Sequence, residues 1–194
     1  MDRWQTLEGS IFHTTQEGSE DHFLKDFFEN KAFIPKTERE KKEYEDFSFV
    51  SSAMALLIYV ARSDGEVDKQ EKNMIIKELK YQLEQRHFEY ETLSEKIGPD
   101  EMRIINTLFE KFQAELKDGS CNLDEIIRVI DMIYAKNPYK RMFLVRLCYY
   151  VAYSDNNFSS AEFNTIKEIA KRLEVSPEDC KRIEGEVRTE LKIK

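Results

Sequence analysis

The sequence contains little of the material from which β-sheet proteins make their turns. Among 194 residues there are only 6 glycines and 4 prolines, whereas 41% of the residues are hydrophobic and 35% are charged. A many-stranded sheet needs frequent turns, and those turns draw heavily on glycine and proline. The composition therefore predicts an all-α protein whose helices are joined by short loops.

Long apolar runs and closely spaced cysteines are missing as well. The uncharged stretch around Val50 to Ala61 stops short of the ~20 residues that a membrane-spanning helix needs. Cys121, Cys148 and Cys180 show no CxxC spacing, so the sequence predicts neither a disulfide framework nor a zinc site. Residues 1–10 carry charges and no apolar core of a secretory signal. We expect a cytoplasmic protein without a membrane span.

The charge balance argues against nucleic acid as a partner. The chain has 38 acidic and 30 basic residues, a formal net charge of -8, and an acidic surface repels phosphate backbones. Along Lys36 to Asp46 the two signs alternate, which is typical of a solvated helix face or a linker. No nucleophile elbow, phosphate loop or HExxH pattern occurs, so we expect a non-enzymatic protein.

Helical periodicity divides the chain into an amino-terminal appendage, 1–45, and an all-helical domain, 46–194. In the appendage only 22–33 has convincing helical spacing, and we expect Phe23, Phe27 and Phe28 to dock that helix on the domain or on a second copy. Further helices should start at the capping or proline positions that follow each break. These positions are Pro99, Asn122, Asn137 with Pro138, and Ser176 with Pro177.

Two segments of the domain lack a polar face, Phe47 to Ser63 and Met142 to Ser154. We expect them to lie against each other at the centre of the domain. The second segment contains Arg146, whose guanidinium, if buried, needs a partner such as an aspartate of a nearby turn. An exposed position for Arg146 fits the pattern equally well.

The most informative pattern is an internal repeat at an offset of 91 residues. Residues 60–71 align with 151–162, with five identities among the twelve aligned positions. Each copy follows an apolar helix and precedes an amphipathic one. The repeat predicts two helix-loop-helix units related by approximate two-fold symmetry.

Each copy can be explained as the end of one helix and the start of the next. Gly65 in the first copy and Asn156 in the second are able to take a positive φ after the first helix, and we expect them to turn the chain there. Asp68 and Ser159 are placed to cap the following helices. Glu71 and Glu162, three residues later, would complete the two capping boxes. In the second copy a hydrophobic staple is expected between two phenylalanines, Phe158 and Phe163.

The same acidic residues also match half of a calcium-binding loop. Asp64 and Glu71 fall at positions five and twelve of an EF-hand loop, but Val60 and Arg62 stand where its first two carboxylates belong. A standard calcium loop is therefore excluded, although oxygen ligands would suit calcium, magnesium or manganese. The candidate ligands are Asp64, Glu66, Asp68, Glu71, Asp155 and Glu162. The favoured explanation is structural capping, with at most weak binding of a divalent cation at Asp64, Glu66 and Asp68. The alternative function is a metal-dependent enzyme that uses Asp64, Asp68 and Glu71.

The first copy, with its A-x-S-D-G-x-V-D-x-x-E motif, resembles TerB-like proteins of bacterial tellurite resistance and related stress proteins. The resemblance covers about residues 47–175. It implies a helical interaction or scaffold module of a stress-response or defence system. Some relatives are attached to J-domains of membrane-anchored co-chaperones, but the His-Pro-Asp signature is absent here. The partner protein stays unidentified, and both a homodimer and a membrane-associated partner stay open.

Overall fold

The computed structural model describes residues 4, 7, 27, 28, 33–85, 98–153 and 158–193. These residues form α-helices and no strand, which confirms the predicted all-α class. In chain order the helices are α1 (Glu38–Ala61), α2 (Lys69–Gln85), α3 (Pro99–Asp118), α4 (Leu123–Tyr134), α5 (Pro138–Tyr153), α6 (Ser160–Arg172) and α7 (Pro177–Glu190). None of the described helices combines the length and the apolar character that crossing a membrane requires.

The chain folds as two compact units. The first comprises 1–54 and 76–122, and the second comprises 55–75 and 123–194. Helices α1 and α2 contribute to both units, whereas α3 belongs to the first and α4 to α7 belong to the second. Because α1 begins at Glu38, most of the alternating charged run is helix. The division into an appendage, 1–45, and a domain, 46–194, stays a prediction.

Helix α1 is enclosed along its carboxyl-terminal two thirds. Between residues 47 and 61 every side chain is buried except that of Tyr59, which is half-buried. This confirms the predicted helix without a polar face. Its packing against the apolar part of α5, and the symmetry of the two repeat units, stay predictions.

Capping side chains explain where the later helices begin. The Asn137 side chain accepts a hydrogen bond from the backbone N–H of Lys140 at 3.0 Å, and α5 starts at Pro138, directly after Asn137. Likewise, the Ser176 hydroxyl accepts from the N–H of Asp179 at 3.1 Å. These bonds satisfy amides that have no partner inside the first helical turn. The starts predicted at Pro99, Asn122, Asn137 and Ser176 are confirmed.

In the first unit, aromatic side chains from the amino-terminal segment dock on α1. Trp4 and Phe27 are almost completely buried, and their rings lie 5.8 Å and 4.8 Å from the ring of Phe47. Phe28 packs edge-on against Tyr44, with ring centroids 6.1 Å apart. Such contacts combine large buried areas with favourable ring geometry. The docking predicted for Phe27 and Phe28 is confirmed, while Phe23 and most of 22–33 lie outside the described residues.

In the second unit the guanidinium of Arg141 joins the ends of two helices. It donates to the carbonyl of Tyr134 at the end of α4 and to the carbonyl of Leu173 just after α6, both at 3.3 Å. It also donates to the carboxylates of Asp131 at 2.8 Å and Glu174 at 3.1 Å. The Arg141 side chain is only 9% exposed, and a buried guanidinium persists only when it is paired in this way.

The junction also holds an unusual backbone conformation. Glu174 has a φ of 57°, which is uncommon outside glycine. The N–H of Val175 reaches back to the carbonyl of Ala170 at 2.9 Å, the bond that closes a Schellman turn. Because Arg141 binds both the carbonyl before Glu174 and its carboxylate, it stabilises the turn that leads from α6 to α7.

Helix α7 covers α5 through two buried side chains, Ile183 and Val187. Around them, the Arg146 guanidinium donates to Glu186 at 2.6 Å and to Glu190. The hydroxyl of Tyr153 donates to Glu184 at 2.7 Å. Both expectations for Arg146 are therefore corrected: its partners are glutamates of α7 and not an aspartate of a repeat turn, and its side chain is largely covered. The acidic face of α7 supplies partners that lie far away in sequence.

Replacing Arg141 by Met should lower the free energy of unfolding by about 2 to 3 kcal/mol, because the Leu173 carbonyl loses its donor and the Tyr134 carbonyl keeps only the N–H of Asn137. The carboxylates of Asp131 and Glu174 keep access to solvent, so the loss of their ion pairs with Arg141 costs little stability. Arg146→Met is the matched control, and we expect about 0 to 1 kcal/mol for it because both its partners are exposed. Urea unfolding followed by circular dichroism compares the two variants. Equal costs would contradict the assignment of Arg141 as the junction.

Replacing Phe27 by Ala should lower the free energy of unfolding by about 3 to 5 kcal/mol, since it removes a fully buried ring from the aromatic cluster on α1. Ile34→Ala, at a position that is exposed beside the same cluster, should change it by less than about 0.5 kcal/mol. Thermal and urea unfolding of both variants measure the difference. If the two substitutions were equivalent, the amino-terminal segment would not be docked.

Candidate functional site

The first acidic turn joins α1 to α2 with a capping box. The N–H of Ser63 reaches the carbonyl of Val60 at 2.9 Å, and the N–H of Gly65 reaches that of Arg62 at 3.2 Å. The chain therefore leaves α1 through tight backbone bonds. The expectation that Gly65 uses a positive φ is wrong, since Gly119 is the described glycine in that conformation. No left-handed residue is needed where the turn closes through short-range bonds.

Asp68 and Glu71 then restart the chain as α2. One oxygen of Asp68 accepts from the N–H groups of Gln70 at 2.6 Å and Glu71 at 2.9 Å. In return, one oxygen of Glu71 accepts from the N–H of Asp68 at 2.6 Å. This reciprocal arrangement is a capping box, and it confirms the predicted roles of both residues. The second oxygen of each carboxylate takes no part in these bonds.

The second turn restarts α6 by the same chemistry with a serine in place of the aspartate. The Ser159 hydroxyl accepts from the N–H of Glu162 at 3.1 Å, and a Glu162 oxygen accepts from the N–H of Ser159 at 2.8 Å. Phe158 and Phe163 complete the predicted hydrophobic staple, with ring centroids 5.7 Å apart and nearly perpendicular rings. The capping predicted for the second copy is confirmed, while Asn156 lies outside the described residues.

Within the second unit, the ionisation of Glu71 in the first turn is influenced by the charge of Glu162 on α6. Burial is the main cause that raises the pKa of Glu71, and the negative charges of Asp68, Asp64 and Glu162 raise it further. The hydrogen bond from the Asp68 amide acts in the opposite direction. A carboxylate surrounded by others resists ionisation because like charges repel. The two capping glutamates, 91 residues apart in sequence, are therefore electrostatic neighbours.

A tyrosine on the last turn of α1 reports the same proximity. Burial raises the pKa of Tyr59, the charge of Glu168 on α6 raises it further, and Arg172 lowers it. Arg172 itself donates to Asp124 of α4. Charges on α6 thus act both on the last turn of α1 and on the first acidic turn, which the sequence did not indicate.

The candidate ligands differ in how well they are placed. Asp64, Glu66 and Asp68 are exposed, Glu71 is half-buried, and Glu162 is only 6% exposed. Asp155 lies outside the described residues, so the full predicted set stays a prediction. In the part of the chain that the structure describes, no three acidic, histidine or cysteine side chains form a ready-made metal site. The oxygen-only donors nevertheless suit a hard divalent cation.

The comparison with protein families identifies the class to which this fold belongs. Residues 51–185 match the family described as tellurite resistance protein TerB. The match covers well over half of the chain and includes both acidic turns. The chain therefore belongs to the TerB family. Corresponding searches among curated proteins and among solved structures give no match.

Glu71→Gln should leave the protein at least as stable as the wild type at pH 7 in metal-free buffer. An amide oxygen still accepts from the Asp68 N–H, while the repelled charge is gone. Since folding raises the pKa of Glu71 above its ordinary 4.5, the stability due to its neutral form is complete at low pH. It is lost as the pH rises through the folded-state pKa. The gain from Gln should therefore shrink between pH 7 and pH 4, as urea unfolding can measure.

The control is Glu71→Ala, which removes the acceptor together with the charge. It should lower the free energy of unfolding by about 1 kcal/mol, the usual cost of a lost helix cap. If Gln were as costly as Ala at pH 7, the charge of Glu71 would be stabilising and its crowded environment wrongly described.

Proposed function

We propose that this TerB-family chain is a non-enzymatic interaction module of a cytoplasmic stress response of the tellurite-resistance type, and that its acidic turns bind a divalent cation weakly. The observation that carries the proposal is that backbone amides hold both capping glutamates, Glu71 and Glu162, in the same unit, where the charge of Glu162 helps to raise the pKa of Glu71. Capping fixes both carboxylates to the backbone. A pair of fixed, mutually repelling carboxylates favours any ligand that supplies positive charge.

The donor set supports a hard cation and a low affinity. Asp64 and Asp68 add exposed carboxylates beside Glu71, and calcium, magnesium or manganese prefers such oxygens. Yet the amide bonds already occupy part of the coordinating capacity of Asp68 and Glu71. With coordination incomplete, we expect a dissociation constant on the order of 10⁻⁴ to 10⁻³ M.

The alternative is a metal-dependent enzyme that uses Asp64, Asp68 and Glu71. One observation favours it, since a carboxylate with a raised pKa is typical of acid-base catalysis. Against it, the Glu71 oxygen that accepts from the Asp68 amide serves to hold the helix start. The chain also offers no recognisable nucleophile pattern beside the carboxylates. An interaction role requires neither a free catalytic carboxylate nor a nucleophile, so we prefer it.

The partner is proposed to be another protein. The net charge of -8 disfavours nucleic acid, and a second copy of the chain is the first alternative to a different partner. Affinity capture from the native host, with and without calcium, tests whether a partner binds and whether the cation controls it.

Calcium and manganese should be titrated calorimetrically into the wild type and into the double variant Asp68→Ser, Glu71→Gln. Serine caps the second turn in this same chain, so the substitutions keep both capping bonds while removing two carboxylates. We expect weak saturable heat in the wild type that is lost in the variant, with unchanged stability in EDTA. Asp100→Asn, at an exposed acidic residue of α3, should bind as the wild type does.

Each other outcome has a definite meaning. If the double variant still binds the cation, the binding site does not lie in these turns. If the wild type gives no heat up to about 10 mM cation, the proposal of cation binding is wrong, given the affinity expected for such sites. Binding tighter than about 10⁻⁵ M would require a more complete ligand set than the capped turns offer.

A further inference from the structure

The turn between α4 and α5 presents apolar side chains to solvent. Met132 is 51% exposed and Tyr139 is 76% exposed. Ala135 and Pro138 between them are exposed as well. Two exposed large apolar side chains thus fall within eight residues of sequence at one helix connection, and clustered apolar side chains, unlike single ones, often mark an interaction surface. We call Met132, Ala135, Lys136, Pro138 and Tyr139 the hairpin tip.

These residues lie together because the turn is tight. Only residues 135–137 separate the two helices, and the N–H of Asn137 bonds to the carbonyl of Tyr134 at 2.9 Å. Met132 and Tyr139 each lie within one helical turn of this connection. Buried Arg141 also holds the end of α4 next to the turn, through its hydrogen bonds to the Tyr134 carbonyl and to the Asp131 carboxylate. Hydrogen bonds therefore hold the connection and the base of the hairpin tip, and a surface that is held before binding loses less entropy when a partner docks.

The charge around the hairpin tip is opposite to that of the whole chain. Residues 128–141 contain four basic residues and one acidic residue, whereas the chain carries a net charge of -8. Buried Arg141 is neutralised by two carboxylates, that of Asp131 and that of Glu174, so the surplus of positive charge comes from the other basic residues. Exposed Arg128 and Lys136 flank the apolar side chains. A basic rim around apolar anchors attracts an acidic partner and discourages a basic one.

We propose that the hairpin tip is a docking site for an acidic segment of a partner protein, one that carries apolar or aromatic side chains among its Asp and Glu residues. Tyr139 and Met132 supply the apolar contact, and tyrosine gives large contact area at a small entropic cost. Lys136 selects for negative charge. The site lies on other residues than the acidic turns, so it does not depend on the cation proposed there.

A library of random twelve-residue displayed peptides, selected against the full-length chain with EDTA present, tests the proposal. We expect enriched peptides that combine several Asp or Glu residues with an aliphatic or aromatic one. Binding of an enriched, fluorescently labelled peptide should weaken at least tenfold in Tyr139→Ser. It should weaken several-fold in Lys136→Glu, with a smaller dependence on salt because one charge contact is lost.

Two matched variants serve as controls. Tyr81→Ser removes a tyrosine of α2 that is 48% exposed, and Lys77→Glu reverses an exposed charge on the same helix. Both should bind the peptide as the wild type does, and melting curves of all four variants check folding. Neutral or basic enriched peptides, no enrichment, or binding unaffected by Tyr139→Ser would overturn the proposal. So would a concentration-dependent dimer in sedimentation that Tyr139→Ser abolishes, because a second copy would then occupy the tip.

Discussion

Reciprocal capping of the two helix starts is the interaction on which the chemistry of this protein depends. Each apolar helix is followed within a few residues of sequence by another helix, and that helix can begin only if its first amides find acceptors. The side chains that supply them are Asp68 with Glu71 and Ser159 with Glu162. Capping therefore explains why carboxylates recur at fixed places in both copies. It also fixes their positions closely enough for Glu71 and Glu162 to influence each other.

A second constraint, the burial of Arg141, organises the helices that carry the second turn. Its guanidinium binds the carbonyl that ends α4 and the carbonyl that follows α6. The same bonds support the left-handed backbone of Glu174 and hold the base of the hairpin tip. One charged side chain thus connects the position of α6, and with it Glu162, to the surface proposed for docking. Because a buried charge tolerates few arrangements, it favours a single packing of these helices.

Local patterns predicted local structure well. Helix starts, both capping boxes and the staple between Phe158 and Phe163 follow from spacings of a few residues, and the structure confirms them. The repeat and its motif also predicted the family that the comparison identifies. In these local features the interacting residues are neighbours in sequence as well as in space, so the chemistry of their side chains is enough to predict the structure.

Features that depend on distant residues could not be read in the same way. Arg146 and Arg141 both interrupt an apolar helix, and nothing in the local pattern tells which guanidinium is buried among carbonyls and which meets the glutamates of α7. The proximity of Glu71 to Glu162 depends equally on how α6 packs. The prediction of a positive φ at Gly65 failed for another reason, because a glycine permits a positive φ but does not require one.

The central claim is that Glu71 and Glu162 repel each other across the two turns, and a double-mutant cycle measures this repulsion directly. Glu71→Gln, Glu162→Gln and the double variant keep an acceptor at both helix starts, so unfolding free energies in EDTA isolate the charge interaction. The account predicts that either substitution is more favourable with the other glutamate intact. The coupling should be about 0.5 to 1 kcal/mol, a range common for neighbouring groups, and should vanish near pH 4. Additive effects at pH 7 would contradict it.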